Sequence, residues 1–247
     1  MSTTTTTLVV GATGATGKYV VQYLLDQGQT VKVICRSAEK MKSLLTPASY
    51  GERLQITEAS ISQVSDSGLK MLTQDCTAVV SCLGHNMTMK GLFGREDRRL
   101  VKTAVTRLTK TMPSSAKFIL MGSDGVSMLG DDPRSRTERV ILFLLRNLLP
   151  PHADNEETAA YVWSLREQPE WCIVRPTDLQ DGEPQKYVLH SKSPPGGLFG
   201  SGIVTRATVA KFMVNLLADA SLWNTYKFKA PVIRDDPAVA AESAKTK

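Results

Sequence analysis

A chain of 247 residues, 42% hydrophobic and 22% charged, has material for one large domain or two small ones, which excludes disorder along most of its length. Its net charge of +6 comes without zinc-ligand spacing, an aromatic RNA-binding signature or a basic tail, so no nucleic acid is expected, and the basic runs at 95–110 and 134–139 read as solvated helix faces or as charge near an anionic dinucleotide. No uncharged apolar run reaches ~18 residues, so no membrane-spanning segment is expected.

The opening Met1–Thr6 lacks a basic leader and reads as a flexible tail. Leu8–Val10 is the first strand and runs into glycines; Val20, Val21, Leu24 and Leu25 then line one face of a helix that stops at Gly28. Thr30–Cys35 predicts the second strand, Ala38–Leu45 a short helix, Leu54–Thr57 a third strand and Gln63–Thr73 another helix. Ala78–Cys82 is the fourth strand. A helical stripe follows at Leu100, Val101, Ala104, Val105 and Leu108, and Lys117–Met121 is the fifth strand. Arg136–Leu149 is a strongly apolar helix that Pro150-Pro151 should stop, and its segment Val140–Leu145 is expected to be buried beside a substrate pocket. Asp154, with Glu157 three residues on, reads as the start of a further helix through a capping box. Trp171–Val174 predicts the sixth strand, Val209–Leu217 a late helix, and Tyr226–Lys229 a last short strand.

Strands alternating with helices predict an α/β fold with a doubly wound parallel sheet. No linker breaks the chain, so residues 7–233 form one domain with a small C-terminal substrate-side region, and 234–247 are expected to be a loose tail. Cys35, Cys76, Cys82 and Cys172 show no CxxC spacing and read as buried thiols in a reducing compartment. A cytoplasmic location fits, with a plastid or mitochondrial one left open if a transit peptide is removed. His85, His152 and His190 are scattered, and no metal site is expected.

The strongest signal is Leu8-Val9-Val10-Gly11-Ala12-Thr13-Gly14-Ala15-Thr16-Gly17. It follows a strand and opens a helix, the context that a dinucleotide-binding turn requires. Gly11 permits the tight turn, Gly14 lets the backbone near a pyrophosphate, and Gly17 allows close helix–strand packing. Arg36 ends the second strand, where an acid would bind a ribose 2′-hydroxyl; an arginine there pairs with a 2′-phosphate, and Ser37 can add a donor. NADP(H) is therefore the expected cofactor.

Gly-Ala-Thr-Gly-Ala-Thr-Gly, with Arg36 in Val-Ile-Cys-Arg-Ser, resembles the atypical short-chain dehydrogenase/reductases, which carry a Rossmann-type fold. Within them it is most similar to the NAD(P)-binding group of biliverdin-IXβ/flavin reductase and the nitrogen-metabolite-repression regulators. Ala78–Gly84, Phe118–Ser123, Trp171–Pro176 and Val204–Ala210 resemble later motifs of that group, so that the likeness runs from 7 to about 233. It implies that Cys82, Leu83 and Gly84 pass beside the cofactor and that Arg175, Pro176 and Thr177 lie near the nicotinamide. Ser60 stands where relatives often place an aspartate facing the adenine.

The departure concerns acid–base chemistry. Many short-chain dehydrogenases use Tyr-x-x-x-Lys, whereas here Tyr161 is followed by Leu165 and Tyr187 by Ser191. Ser123 is the main catalytic candidate, at the carboxyl edge of the fifth strand. Tyr161 is the second, with packing as the favoured reading because it has no lysine partner. Met87, Met89, Leu92 and Phe93 read as an adaptable apolar loop. The expected activity is an NADPH-dependent reduction of a small aromatic, quinone, flavin, tetrapyrrole or carbonyl substrate. A non-catalytic NADP-binding regulator or assembly factor is the alternative. Monomer and weak homodimer both stay open.

Overall fold

The computed structural model describes residues 5–46, 50–84, 99–133, 135–148, 150–194 and 202–237. The chain runs through β1 (Thr6–Val10), α1 (Gly17–Asp26), β2 (Thr30–Cys35), α2 (Ala38–Ser43), β3 (Leu54–Glu58), α3 (Asp66–Thr73) and β4 (Ala78–Ser81). It continues with α4 (Leu100–Thr111), β5 (Lys117–Met121), α5 (Arg136–Leu148), α6 (Pro150–Ser164) and β6 (Trp171–Pro176). The last part holds β7 (Asp178–Gln180), β8 (Tyr187–His190), β9 (Ile203–Thr205), α7 (Arg206–Ala218), α8 (Ala220–Tyr226) and β10 (Val232–Asp235). His85 and the Met87–Phe93 loop lie outside the described residues.

Among the described residues one sheet has the order β3-β2-β1-β4-β5-β6-β10-β8, and β7 pairs with β9 in a small second sheet. Every pairing in the large sheet is parallel except β10 with β8. Strand order reverses between β1 and β4, so the crevice above them is the ligand-binding switch point of such sheets. This is the doubly wound architecture expected from the alternation. Val9, Val33, Val80, Ile119 and Val174 face a core with α1 and α7. Leu8, Val79, Phe118 and Ile173 face the opposite core with α3, α4 and α6. Both faces are covered, which explains the near-continuous apolar strands. The four cysteines are free and buried.

Several expectations are corrected. The last strand is Val232–Asp235, not Tyr226–Lys229: α8 runs to Tyr226, and Phe228 takes a φ of 60° that breaks the extended chain. The tail therefore does not begin at 234, because Asp235 is 9% exposed and accepts the Thr205 N–H at 3.0 Å. Pro150 does not merely stop α5; it opens α6, where a proline's missing N–H costs nothing. Asp154 consequently lies inside α6 and does not start it. Its carboxylate accepts the N–H groups of Val101 and Lys102 at 2.8 and 3.1 Å, capping α4 from across the interface. Val140 is 59% exposed rather than buried, because the main neighbour of α5 is α6 rather than a strand.

Candidate functional site

At the carboxyl end of β1 the backbone turns at Gly11, whose φ of 73° lies in the left-handed region. A Cβ there would stand 2.4 Å from the Cys82 carbonyl oxygen, and one on Gly17 would stand 2.2 Å from the Gly11 carbonyl oxygen. These two glycines let β1, β4 and α1 close on one another. Gly14 differs: its N–H donates to the Gly11 carbonyl at 3.0 Å, and a Cβ would meet only that oxygen, also at 3.0 Å. Gly14 and Ala15 are exposed, Thr13 is half-buried and Thr16 is buried. The N–H groups of Ala15, Thr16 and Gly17 donate to no described carbonyl, and the first turn of α1 carries no acid. Converging unpaired donors at the positive end of a ten-residue helix suit a phosphate group. The turn thus fits a dinucleotide pyrophosphate on its own geometry.

The neighbouring edge residues take distinct roles. Cys82 is 6% exposed; burial pushes its thiol up to about 12, so its side chain packs and its backbone roofs Gly11. Leu83 is half-buried and Gly84 exposed, leading out of the sheet. The Ser81 hydroxyl, which sequence reading passed over, is buried with no described partner. Arg36 is exposed at the end of β2. Ser37 accepts the Lys40 N–H at 3.1 Å as the N-cap of α2, which still leaves its hydroxyl proton to donate. Glu58 accepts the Ala38 N–H at 2.7 Å in the same corner, and Ser60 shares a hydrogen bond with Ser62 at 2.9 Å.

At the end of β5, Ser123 is half-buried, and its oxygen accepts the Gly125 N–H at 3.1 Å. The turn fixes the oxygen while the hydroxyl proton remains available to an acceptor above the edge. Strand β6 behaves otherwise. Arg175 is 1% exposed, and its guanidinium holds both oxygens of Asp131 at 2.6 and 3.0 Å. Burial pushes Asp131 up, but the Arg175 hydrogen bond, with N–H groups of Met128 and Ser193, outweighs it and leaves the carboxyl below its ordinary range. The alternation of side chains along β6 sends Arg175 to the α6 face. Arg175 is therefore a clamp on the 126–131 loop and not a cofactor ligand. Thr177 is likewise committed: it is 4% exposed and its hydroxyl bonds the Ile233 carbonyl at 3.4 Å. Pro176 is buried at the edge, its carbonyl taken by the Asp124 N–H at 3.1 Å. Sequence reading missed Asp131 because nothing in Gly-Asp-Asp-Pro marks which acid folds inward.

Tyr161 is removed from the site by the direction of its helix. α4 and α6 both start near the carboxyl edge and run back, so Tyr161 and Thr109, in their last turns, meet at the amino edge. Their hydroxyls bond at 2.8 Å. Among the described residues no cluster of His, Cys, Asp and Glu could hold a metal ion, and no helix is long and apolar enough to cross a membrane.

A family model for NAD(P)H-binding proteins matches residues 11–220. An uncharacterised chloroplastic protein of Arabidopsis thaliana is 37% identical over 76 residues, which are 31% of this chain and only 26% of that protein. Among solved structures, a Lactobacillus casei protein is 17% identical with a TM-score of 0.68 over 93% of this chain and 99% of its own. A wide-type short-chain dehydrogenase/reductase from Veillonella parvula, solved with NADP, is 18% identical with a TM-score of 0.64 over 94% of both chains. An anaerobilin reductase from Escherichia coli O157:H7 is 18% identical with a TM-score of 0.63, over 94% of this chain and 97% of its own. At these identities the solved structures share the fold.

Proposed function

Because the chain belongs to the NAD(P)H-binding family, we propose that it is an NADPH-dependent reductase of a small, flat acceptor, a quinone, flavin, tetrapyrrole or conjugated carbonyl. The observation that carries the reading is the turn at Gly11–Gly17, whose unpaired N–H groups suit a pyrophosphate, with Arg36 one strand away for a 2′-phosphate. The likeness to an anaerobilin reductase and to a short-chain dehydrogenase solved with NADP supports the same class. The bound cofactor supplies a hydride; the protein supplies orientation and electrostatics.

The residues divide the work. Ala15, Thr16 and Gly17 hold phosphate through the backbone, and Arg36 with Ser37 selects the phosphorylated ribose. Ser60 borders the adenine. Leu83 and Gly84 flank the nicotinamide ribose, and Pro176 closes the edge beside the ring. Ser123, its oxygen fixed by Gly125, donates its proton to the acceptor's oxygen or to the carboxamide and aligns the reacting faces. No tyrosine–lysine pair delivers a proton, so an acceptor that takes its proton from water fits this site best.

The position of Tyr161 at the amino edge favours a second reading, an NADP-binding regulator without turnover. The test is NADPH oxidation by the purified protein with quinones, flavins, tetrapyrroles and carbonyls, followed optically. Turnover with any of them supports the reductase. Tight NADPH binding without turnover on all four overturns it in favour of the regulator.

A further inference from the structure

The nucleotide edge is not the molecule's sole concave surface. A cavity of about 450 Å³ lies at the other end of the large sheet, walled by Met128, Leu129, Trp163, Leu189 and Pro231. Its position is apart from the pyrophosphate turn. β10 stands four strand positions from β1, about 19 Å at the usual spacing. Trp163 is in the last turn of α6, and the Lys229 carbonyl accepts the Ile173 N–H at 3.0 Å, so the cavity reaches back toward the amino half of the strands.

Its charged groups have one sign. No aspartate or glutamate lines it, whereas Lys229 does. Lys229 is exposed and has no carboxylate partner among the described residues. Arg175 also lines the cavity. Four of its contacts are accounted for: Nε to the Ala230 carbonyl at 2.8 Å, Nη1 to Asp131 at 2.6 Å and to the Val126 carbonyl at 3.4 Å, and Nη2 to Asp131 at 3.0 Å. A guanidinium has five N–H groups, so one proton on Nη2 of this buried side chain has no described acceptor. Burial, and then the charge of Arg234, hold His190 below its ordinary value and favour its neutral form.

We infer that this cavity is a second ligand site, independent of the cofactor, for a small molecule with an apolar body and a single carboxylate. The volume lies in the range that encloses a drug-sized ligand. The apolar walls take the body. Lys229 and the remaining Arg175 proton take the carboxylate, where a charge-assisted bond is stronger than a neutral one. A dianion is disfavoured, since Asp131 already neutralises Arg175 and leaves Lys229 as the one uncompensated charge among the lining residues.

Decanoate serves as the probe, titrated by calorimetry and by tryptophan fluorescence with and without saturating NADP+. Saturable binding that NADP+ leaves unchanged is expected. Lys229→Glu should weaken it about tenfold or more, and Ser191→Trp should block it; both positions are exposed, so both variants should fold and keep their NADP+ affinity. The fluorescence change should vanish in Trp163→Phe while the calorimetric signal stays. Absence of saturable decanoate binding, its displacement by NADP+, or an unaltered affinity in Lys229→Glu would each overturn the assignment. None of these outcomes depends on whether the protein reduces anything.

Discussion

The two ends of the sheet hold their loops in place by different means. Around β1, β2 and β4 the loops are held by backbone: Gly11 and Gly17 admit contacts that a Cβ would block, and the α1 donors point outward. Around β5, β6 and β10 they are held by side chains: Arg175 grips Asp131, Ser123 bonds Gly125, and Asp235 accepts from Thr205. A backbone cradle is specified by a few adjacent glycines. A side-chain clamp needs partners that the chain brings together from far apart, here 44 residues for Asp131 and Arg175. The first kind of site is set by local backbone; the second depends on its clamp.

The largest separation between the two ends should come from Gly14→Val. The position is exposed and a Cβ meets one oxygen, so the chain should fold with its circular dichroism unchanged. Valine would shield the α1 donors, and losing two charge-assisted bonds at about 1.5–3 kcal/mol each removes NADPH binding by calorimetry. Retained binding in a folded variant would place the phosphate site elsewhere.

Asp131→Ala strikes the other end. Arg175 and Asp131 have side chains 1% and 5% exposed, and removing one partner of a buried pair costs about 3–5 kcal/mol. Denaturant melts should show that loss, while NADPH affinity stays near wild type. The same pair predicts an acid limit. Asp131 titrates below its unfolded value, so its stabilisation is complete above about pH 4 and is lost as pH falls toward the lower folded value. Wild type should therefore lose stability in that acid window more steeply than Asp131→Ala; parallel profiles would dissociate the pair from acid stability.

Ser123→Ala should lower turnover by about 2.7–4 kcal/mol in barrier, the range for one positioned donor in a dry site, with little change in NADPH affinity. Steady-state kinetics with an acceptor found by the screen gives the comparison, and an unchanged rate would remove Ser123 from the chemistry. Arg36→Ala comes next. Wild type should prefer NADPH over NADH, and the variant should lose about 1.5–3 kcal/mol toward NADPH alone. Equal affinities in wild type would mean that Arg36 reads no phosphate.

Tyr161→Phe should matter least. It removes one hydrogen bond to Thr109 at the amino edge, worth about 0.5–1.5 kcal/mol of stability, and should leave turnover untouched. A severe catalytic loss in this variant would contradict its placement.

The doubly wound class, the strand positions through β6 and the glycine turn with Arg36 were legible in the chain, because these rest on adjacent residues: apolar runs, the 3.6-residue period, and glycines spaced along one turn. The strand order and the pairing of distant side chains came from packing. Asp154 looked like the cap of its own helix and caps α4 instead, since a carboxylate serves whichever unpaired N–H groups packing brings near. Arg175 sat in a motif beside the nicotinamide yet points the other way, because its neighbour Val174 faces the α1 core and strand alternation leaves it no choice. Tyr161 lies in the last turn of α6 and meets Thr109 at the amino edge, which agrees with the packing role that its missing lysine favoured. The cavity under Met128 and Leu129 left no trace in local pattern, for its walls come from α6, β8, β10 and the loop after β5, and nothing in their sequence order says that these four meet.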